Sequence, residues 1–208
     1  MNFSILEKLI NIPSYSGYEG NMISFLASFA KDNGCVIDVT ENYLLISGAD
    51  FDSSVAPIFI IAHVDEVGLK VSEVISDDII RVSCIGGMSH STIFGSVICD
   101  KTNTYEGIIQ PKQEQDIYEN TNGELFARSL VNNNTSIKNG DLLFFKEKMI
   151  LTSDCIIGKG LDNKVGIYIL CRLMQHYIHS KNNISLFFPQ KKKLVKAPIL
   201  TFYLVQIN

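Results

Sequence analysis

The chain has 208 residues, 46% of them hydrophobic and 19% charged, with a formal net charge of -4. That is the balance of a globular protein with an ample core, and it gives no electrostatic footprint for nucleic acid. The opening M-N-F-S-I-L-E-K-L-I lacks the basic start and long apolar core of a signal peptide, and no apolar run is long enough to span a bilayer. Five widely spaced cysteines (Cys35, Cys84, Cys99, Cys155, Cys171) without a C-x-x-C read as free thiols and a cytoplasmic location.

Phe3 to Ile10 places apolar residues at helical spacing, and Ile12-Pro13 stops the run. Ser14 to Gly20 is turn-like. Glu19 to Lys31 repeats Met22, Ile23, Leu26, Phe29 and Ala30, which predicts an amphipathic helix. Cys35 to Val39 and Tyr43 to Ser47 read as strands, and the apolar run Ile58 to Ile61 reads as a strand buried on both faces. Helices followed by such a strand predict an α/β layer. From Leu69 to about Ile157 come short β-rich runs, at Ile79 to Ile85, Ser96 to Cys99, Gly107 to Gln110, Asp141 to Phe145 and Met149 to Leu151. Gly, Asn and Asp punctuate them, notably at Asn132 to Asn134, so a small barrel-like β-domain is expected as an insert. The helical period returns over Lys164 to Tyr177, with Val165, Ile169, Leu173 and Tyr177 along one face, and Ile184 to Phe188 is a further buried-strand candidate.

Two segments can bear chemistry. The strand at Ile58 to Ile61 ends on His63, Asp65 and Glu66, groups that bind metal or move protons, at the sheet edge where α/β folds bind ligands. Residues i and i+2 of a strand project to one side, so His63 can be a metal ligand with Asp65 holding its other ring nitrogen. A strand end that simply carries solvated polar residues is the bland alternative. The second segment is G-K-G-L-D-N-K-V-G, residues 158–166. Asp162 sits where a helix begins and is a natural N-cap, and its two oxygens can equally bridge two divalent cations. The two roles are compatible.

Taken in order, I-P-S-Y-S-G-Y-E, A-H-V-D-E-V-G, I-G-G-M and G-K-G-L-D-N-K-V-G resemble the tetrahedral, deblocking and glutamyl aminopeptidases, over Leu6 to about Phe188. The resemblance implies a zinc-exopeptidase α/β catalytic domain with two divalent metal ions, zinc or cobalt, acting on peptide substrates. It makes His63 and the bridging Asp162 metal ligands, and Asp65 the catalytic carboxylate supporting His63. Residues 1–68 and 158–188 would form the catalytic domain, 69–157 an inserted β-domain that makes the protein a homo-oligomer, and 189–208 an aberrant tail. No nucleic acid or membrane partner is implied. Asn163 stands where many relatives carry a second Asp, and Lys164 where Arg is common; neither change removes a ligand.

The family pattern next requires a Glu-Glu pair after the Ile184 strand, the first Glu as general base, and then an Asp and a His ligand. Here Pro189-Gln190-Lys191-Lys192-Lys193-Leu194-Val195-Lys196 follows, and the chain contains no Glu after Glu147. The catalytic domain is therefore expected to be incomplete and the chain inactive. Read from the third base of each codon, Lys191 to Val195 can spell Glu-Glu-Val-Gly, and the next codons allow Gly and Ala after one free residue. A frameshift near Phe188, in the gene or its sequence record, is the expectation; AAA codons at 191 and 192 would rule it out. A solvated stretch or weak polybasic tail is the alternative for the lysine run. A related zinc exopeptidase or deacylase, or a non-catalytic oligomerising remnant, are the alternatives for the chain.

Overall fold

The structure is a computed structural model that describes residues 3–52, 54–112, 124–131, 137–146, 148–176 and 183–190. It divides into two compact units, Met1–Glu66 with Met149–Asn208, and Val67–Lys148. The tail from 191 onward, Tyr177 and the Asn132 to Asn134 run all lie outside the described residues.

The first unit is an α/β layer. Helix α1 is Ser4–Asn11 and α2 is Gly20–Asp32. Strands β1 (Val36–Val39), β2 (Tyr43–Ser47) and β3 (Ile58–Ile61) follow. After the second unit come the short hairpin strands β10 (Ile150–Leu151) and β11 (Ile156–Ile157), helix α3 (Leu161–His176) and strand β12 (Ile184–Pro189). The sheet runs β1-β2-β12-β3, with β12 antiparallel to β2 and parallel to β3. Leu44 and Ile46 of β2 and Leu186 and Phe188 of β12 alternate inward against Met22, Leu26 and Ala30 of α2 and Ile167, Leu170, Cys171 and Met174 of α3. One apolar core thus fixes both helices on the sheet.

One expectation is corrected here. Strand β3 is not buried on both faces: Ile58 and Phe59 are 59% and 53% exposed, because among the described residues only β12 pairs with it. An apolar run reports the character of a strand, and neighbours decide its burial. The buried face of α3 is Ile167, Leu170, Cys171 and Met174, with Ile169 exposed. The stripe through Val165, Ile169 and Leu173 lies beside this face: Leu173 packs partly buried against the core, and Ile169 is exposed.

The second unit is a closed barrel, and the α/β fold is interrupted in sequence by it. Its strands are β4 (Gly68–Val74), β5 (Ile79–Ile85), β6 (Val97–Cys99), β7 (Glu106–Pro111), β8 (Leu125–Ser129) and β9 (Leu142–Phe145). The order is β4-β5-β8-β7-β6-β9, and β9 closes the ring by pairing with both β4 and β6. Leu69, Val71, Ile80, Val82, Ile98, Ile109 and Leu143 alternate into its core. Among the described strands, closure gives each one two neighbours. No described helix is long and apolar enough to cross a membrane.

Candidate metal centre

Beyond β3 the chain continues extended. Ala62 and Val64 point into the core, which turns His63 and Asp65 to the opposite side. Nδ1 of His63 lies 3.0 Å from the Asp65 carbonyl oxygen and 3.2 Å from Asp65 Oδ1. The other Asp65 oxygen accepts a 2.6 Å hydrogen bond from the Ser16 hydroxyl, a length typical of a charge-assisted bond. Both groups facing Nδ1 are acceptors, so Nδ1 carries a proton there and a neutral ring offers its Nε2 lone pair on the far side.

That far side faces Asp162. Its Oδ1 lies 3.1 Å from His63 Nε2, and the carboxylate is 52% exposed. Two acceptor atoms do not sit at that distance with nothing between them, so the position calls for a proton or a metal cation. Zinc bonds to His nitrogen and carboxylate oxygen are about 2.0–2.2 Å, which sets two adjacent ligand atoms of one ion about 3 Å apart. His63 and Asp162 therefore fit a divalent ion.

The start of α3 explains how Asp162 comes to face His63. Asp162 and Asn163 have non-helical backbone angles, and the regular helix begins at Lys164. The oxygen Oδ1 of Asn163 accepts from the Gly166 N–H at 3.1 Å. The expectation that Asp162 is the N-cap is overturned: its neighbour caps the helix.

Glu66, expected among the groups at the metal edge, is instead held in a buried ion pair. Its Oε2 is 2.9 Å from Lys164 Nζ, with both side chains buried, and its Oε1 accepts from the Ser14 N–H at 3.0 Å. Lys164 also donates to the carbonyls of Ile10 and Ile12, at 3.3 and 2.9 Å. Burial pushes the Lys164 ammonium down to about 8, against the opposing pull of Glu66. The backbone of Glu66 completes the clamp, donating to the Ser14 carbonyl at 2.7 Å beside a parallel bridge to Tyr15. Gly160, at φ +60°, lies where a β-carbon would strike the Glu66 carboxylate. The segment from Ile10 to Ser16 is thus fastened to both chemistry-bearing segments. The sequence shows Lys164 only as a replacement for Arg; its flanks, Asn163 and Val165-Gly166, carry no local sign of a buried pair, which depends on Glu66 almost a hundred residues away. Among the described residues no cluster of three or more His, Cys, Asp or Glu side chains forms a fuller ligand set.

An α/β layer interrupted in sequence by a closed barrel is the architecture of an M42-type catalytic domain. The chain belongs to the M42 glutamyl aminopeptidase family, whose sequence pattern matches residues 49–190. It is 22% identical over 196 residues to a provisionally named aminopeptidase of Acetivibrio thermocellus, covering 92% of this chain and 59% of that protein. Among solved structures it shares the fold of an aminopeptidase from the archaeon Desulfurococcus kamchatkensis, with TM-score 0.74, 21% identity, and coverage of 90% and 54% of the two chains. The TET1 peptidase of Pyrococcus horikoshii, which can assemble into a tetrahedron or a large octahedral shell, matches at TM-score 0.69 and 19% identity, covering 90% of this chain and 59% of that one. The chain thus spans somewhat over half the length of these relatives.

Proposed function

We infer that this chain carries the N-terminal half of a di-metal aminopeptidase site, in which His63 and Asp162 hold a divalent zinc or cobalt ion and Asp65 supports His63. The observation that carries the reading is the His63 ring set between two carboxylates, Asp65 on Nδ1 and Asp162 on Nε2. Asp65 keeps the Nδ1 proton in place and raises the basicity of Nε2. The Ser16 hydroxyl stabilises the charged Asp65 carboxylate by donating to it and fixes its rotamer. Asp162 brings negative charge to one ion and has a second oxygen for another. When bound, such ions supply Lewis acidity, lowering the pKa of water and polarising a peptide carbonyl. In the whole protein the substrate is a peptide, hydrolysed one residue at a time from its free N-terminus.

The chain has no Glu after Glu147, where the family pattern places its general base, and residues 191–196 read Lys-Lys-Lys-Leu-Val-Lys instead. A catalytic zinc takes three protein ligands, and two are identified here. On this reading the 208-residue chain retains metal weakly and has little or no peptidase activity, and a frameshift near Phe188 accounts for the lysine run. AAG codons at 191 and 192 are the expected finding on sequencing the gene; AAA there contradicts the frameshift. Release of amino acids from a free-amine peptide in a cobalt-dependent way by the purified chain contradicts the reading of inactivity. The assembly named for the Pyrococcus horikoshii relative supports a homo-oligomer, and on this reading the barrel forms its contacts. A monomeric mass in size-exclusion light scattering contradicts that part.

A further inference from the structure

We propose that Asn163 and Gly166 are positioning residues for the metal centre, taking over the capping of α3 so that Asp162 is presented to His63. The proposal rests on the reading of His63 and Asp162 as metal ligands and adds what determines the direction of the second one. A helix start offers unsatisfied N–H donors, and an Asp beside it is among the best residues to accept from them. An Asp162 drawn into that role would be turned away from His63. Instead the Asn163 oxygen takes the Gly166 N–H, three residues on, as an N-cap does.

Gly166 makes the arrangement possible. A β-carbon built at that position would lie 2.8 Å from Asn163 Cγ and 3.0 Å from its Nδ2, closer than packed atoms come, and would collide with Oδ1. The side chain of Asn163 therefore occupies the volume that any other residue at 166 would fill. Glycine inside a helix is otherwise unfavourable relative to alanine, so its presence here calls for a local reason. Lys164, buried between these two residues and paired with Glu66, pins the first turn and keeps the capping geometry in register. The result is a division of labour: Asn163 faces the helix and Asp162 faces the histidine at 3.1 Å.

The test uses the full chain, titrated with cobalt chloride and followed by visible absorption, together with 15N shifts of the His63 ring in the metal-free protein. Asn163→Ala and Gly166→Ala should weaken cobalt binding by about tenfold, at the low end of what loss of an outer partner costs a metal site. Asn163→Asp, which still caps, should bind within about twofold of the parent. In the metal-free protein Asn163→Ala should move the His63 ring nitrogens in the same direction as Asp162→Asn does, because both remove the carboxylate from Nε2. Gly166→Ala should fail to raise the melting temperature, although alanine favours a helix. The proposal is overturned if Asn163→Ala keeps the parent's His63 shifts while Asp162→Asn changes them, or if Gly166→Ala simply stabilises the chain and binds cobalt as before. If the parent binds no cobalt, the metal reading fails, and the His63 shifts of Asn163→Ala against Asp162→Asn still decide the capping proposal.

Discussion

Replacing Lys164 with methionine removes one partner of the ion pair that fastens both chemistry-bearing segments to the Ile10–Ser16 segment. Glu66 is then left almost wholly buried with the Ser14 N–H as the one remaining described donor to its side chain. Breaking a buried pair from one side costs about 3–5 kcal/mol, since the surviving charge loses its compensation. The carbonyls of Ile10 and Ile12 lose a donor as well, each worth about 1 kcal/mol. Urea unfolding of the full chain should therefore place Lys164→Met well below the parent, with Glu66→Gln/Lys164→Met recovering a large part of the loss because no unpaired charge remains. The pair also has a pH signature. Lys164 sits at about 8 when folded and at 10.5 as an unperturbed lysine. Between those values the unfolded chain holds a proton that the folded chain has released, so stability rises with pH. The gain is complete above 10.5 and lost as pH falls through about 8, with an upper bound of about 3 kcal/mol for the whole interval. The parent should show that rise relative to Glu66→Gln/Lys164→Met. A cost below about 1 kcal/mol for Lys164→Met, or no coupling between the two substitutions, would refute the reasoning.

Ser16→Ala should weaken cobalt binding severalfold and Ser16→Thr should restore it, since the hydroxyl, and not the bulk of residue 16, holds Asp65; equal binding by all three chains would contradict this. Tyr105 is fully buried in the barrel with its hydroxyl unpartnered among the described residues, and burial pushes its pKa up to about 12. Tyr105→Phe should consequently leave stability unchanged or raise it by up to about 1 kcal/mol, and a clear loss in thermal unfolding would reveal a partner for the hydroxyl. Alkylation mapped by mass spectrometry should modify exposed Cys155 first. Cys171, buried with its thiol pushed up to about 12, should react only as the chain unfolds, and early labelling there would contradict the packing of α3.

Much of the fold was legible because it rests on local periodicity. Strands β2 and β5 follow from runs of β-formers, and α2 follows from Met22, Ile23, Leu26 and Ala30 at helical spacing. Strand β8 was not foreseen, since L-F-A-R-S has only a short apolar start and becomes a strand through its neighbours β5 and β7. Burial of β3 was misjudged for the same reason: it depends on partners remote in sequence. The proximity of His63 and Asp65 could be foreseen from the two-residue repeat of a strand. Their approach to Asp162, almost a hundred residues away, followed only from the order of motifs. The capping by Asn163 was hidden because Asp and Asn are both good caps, and the space at Gly166 that decides between them is a property of the folded backbone.

The central claim, that this chain presents half of a metal centre, is tested most directly by isothermal titration of cobalt or zinc into the parent, His63→Ala and Asp162→Ala. Saturable binding by the parent, lost in both variants while their unfolding midpoints stay near the parent's, is the predicted result. Binding of equal strength in all three proteins would place the metal elsewhere and contradict the account.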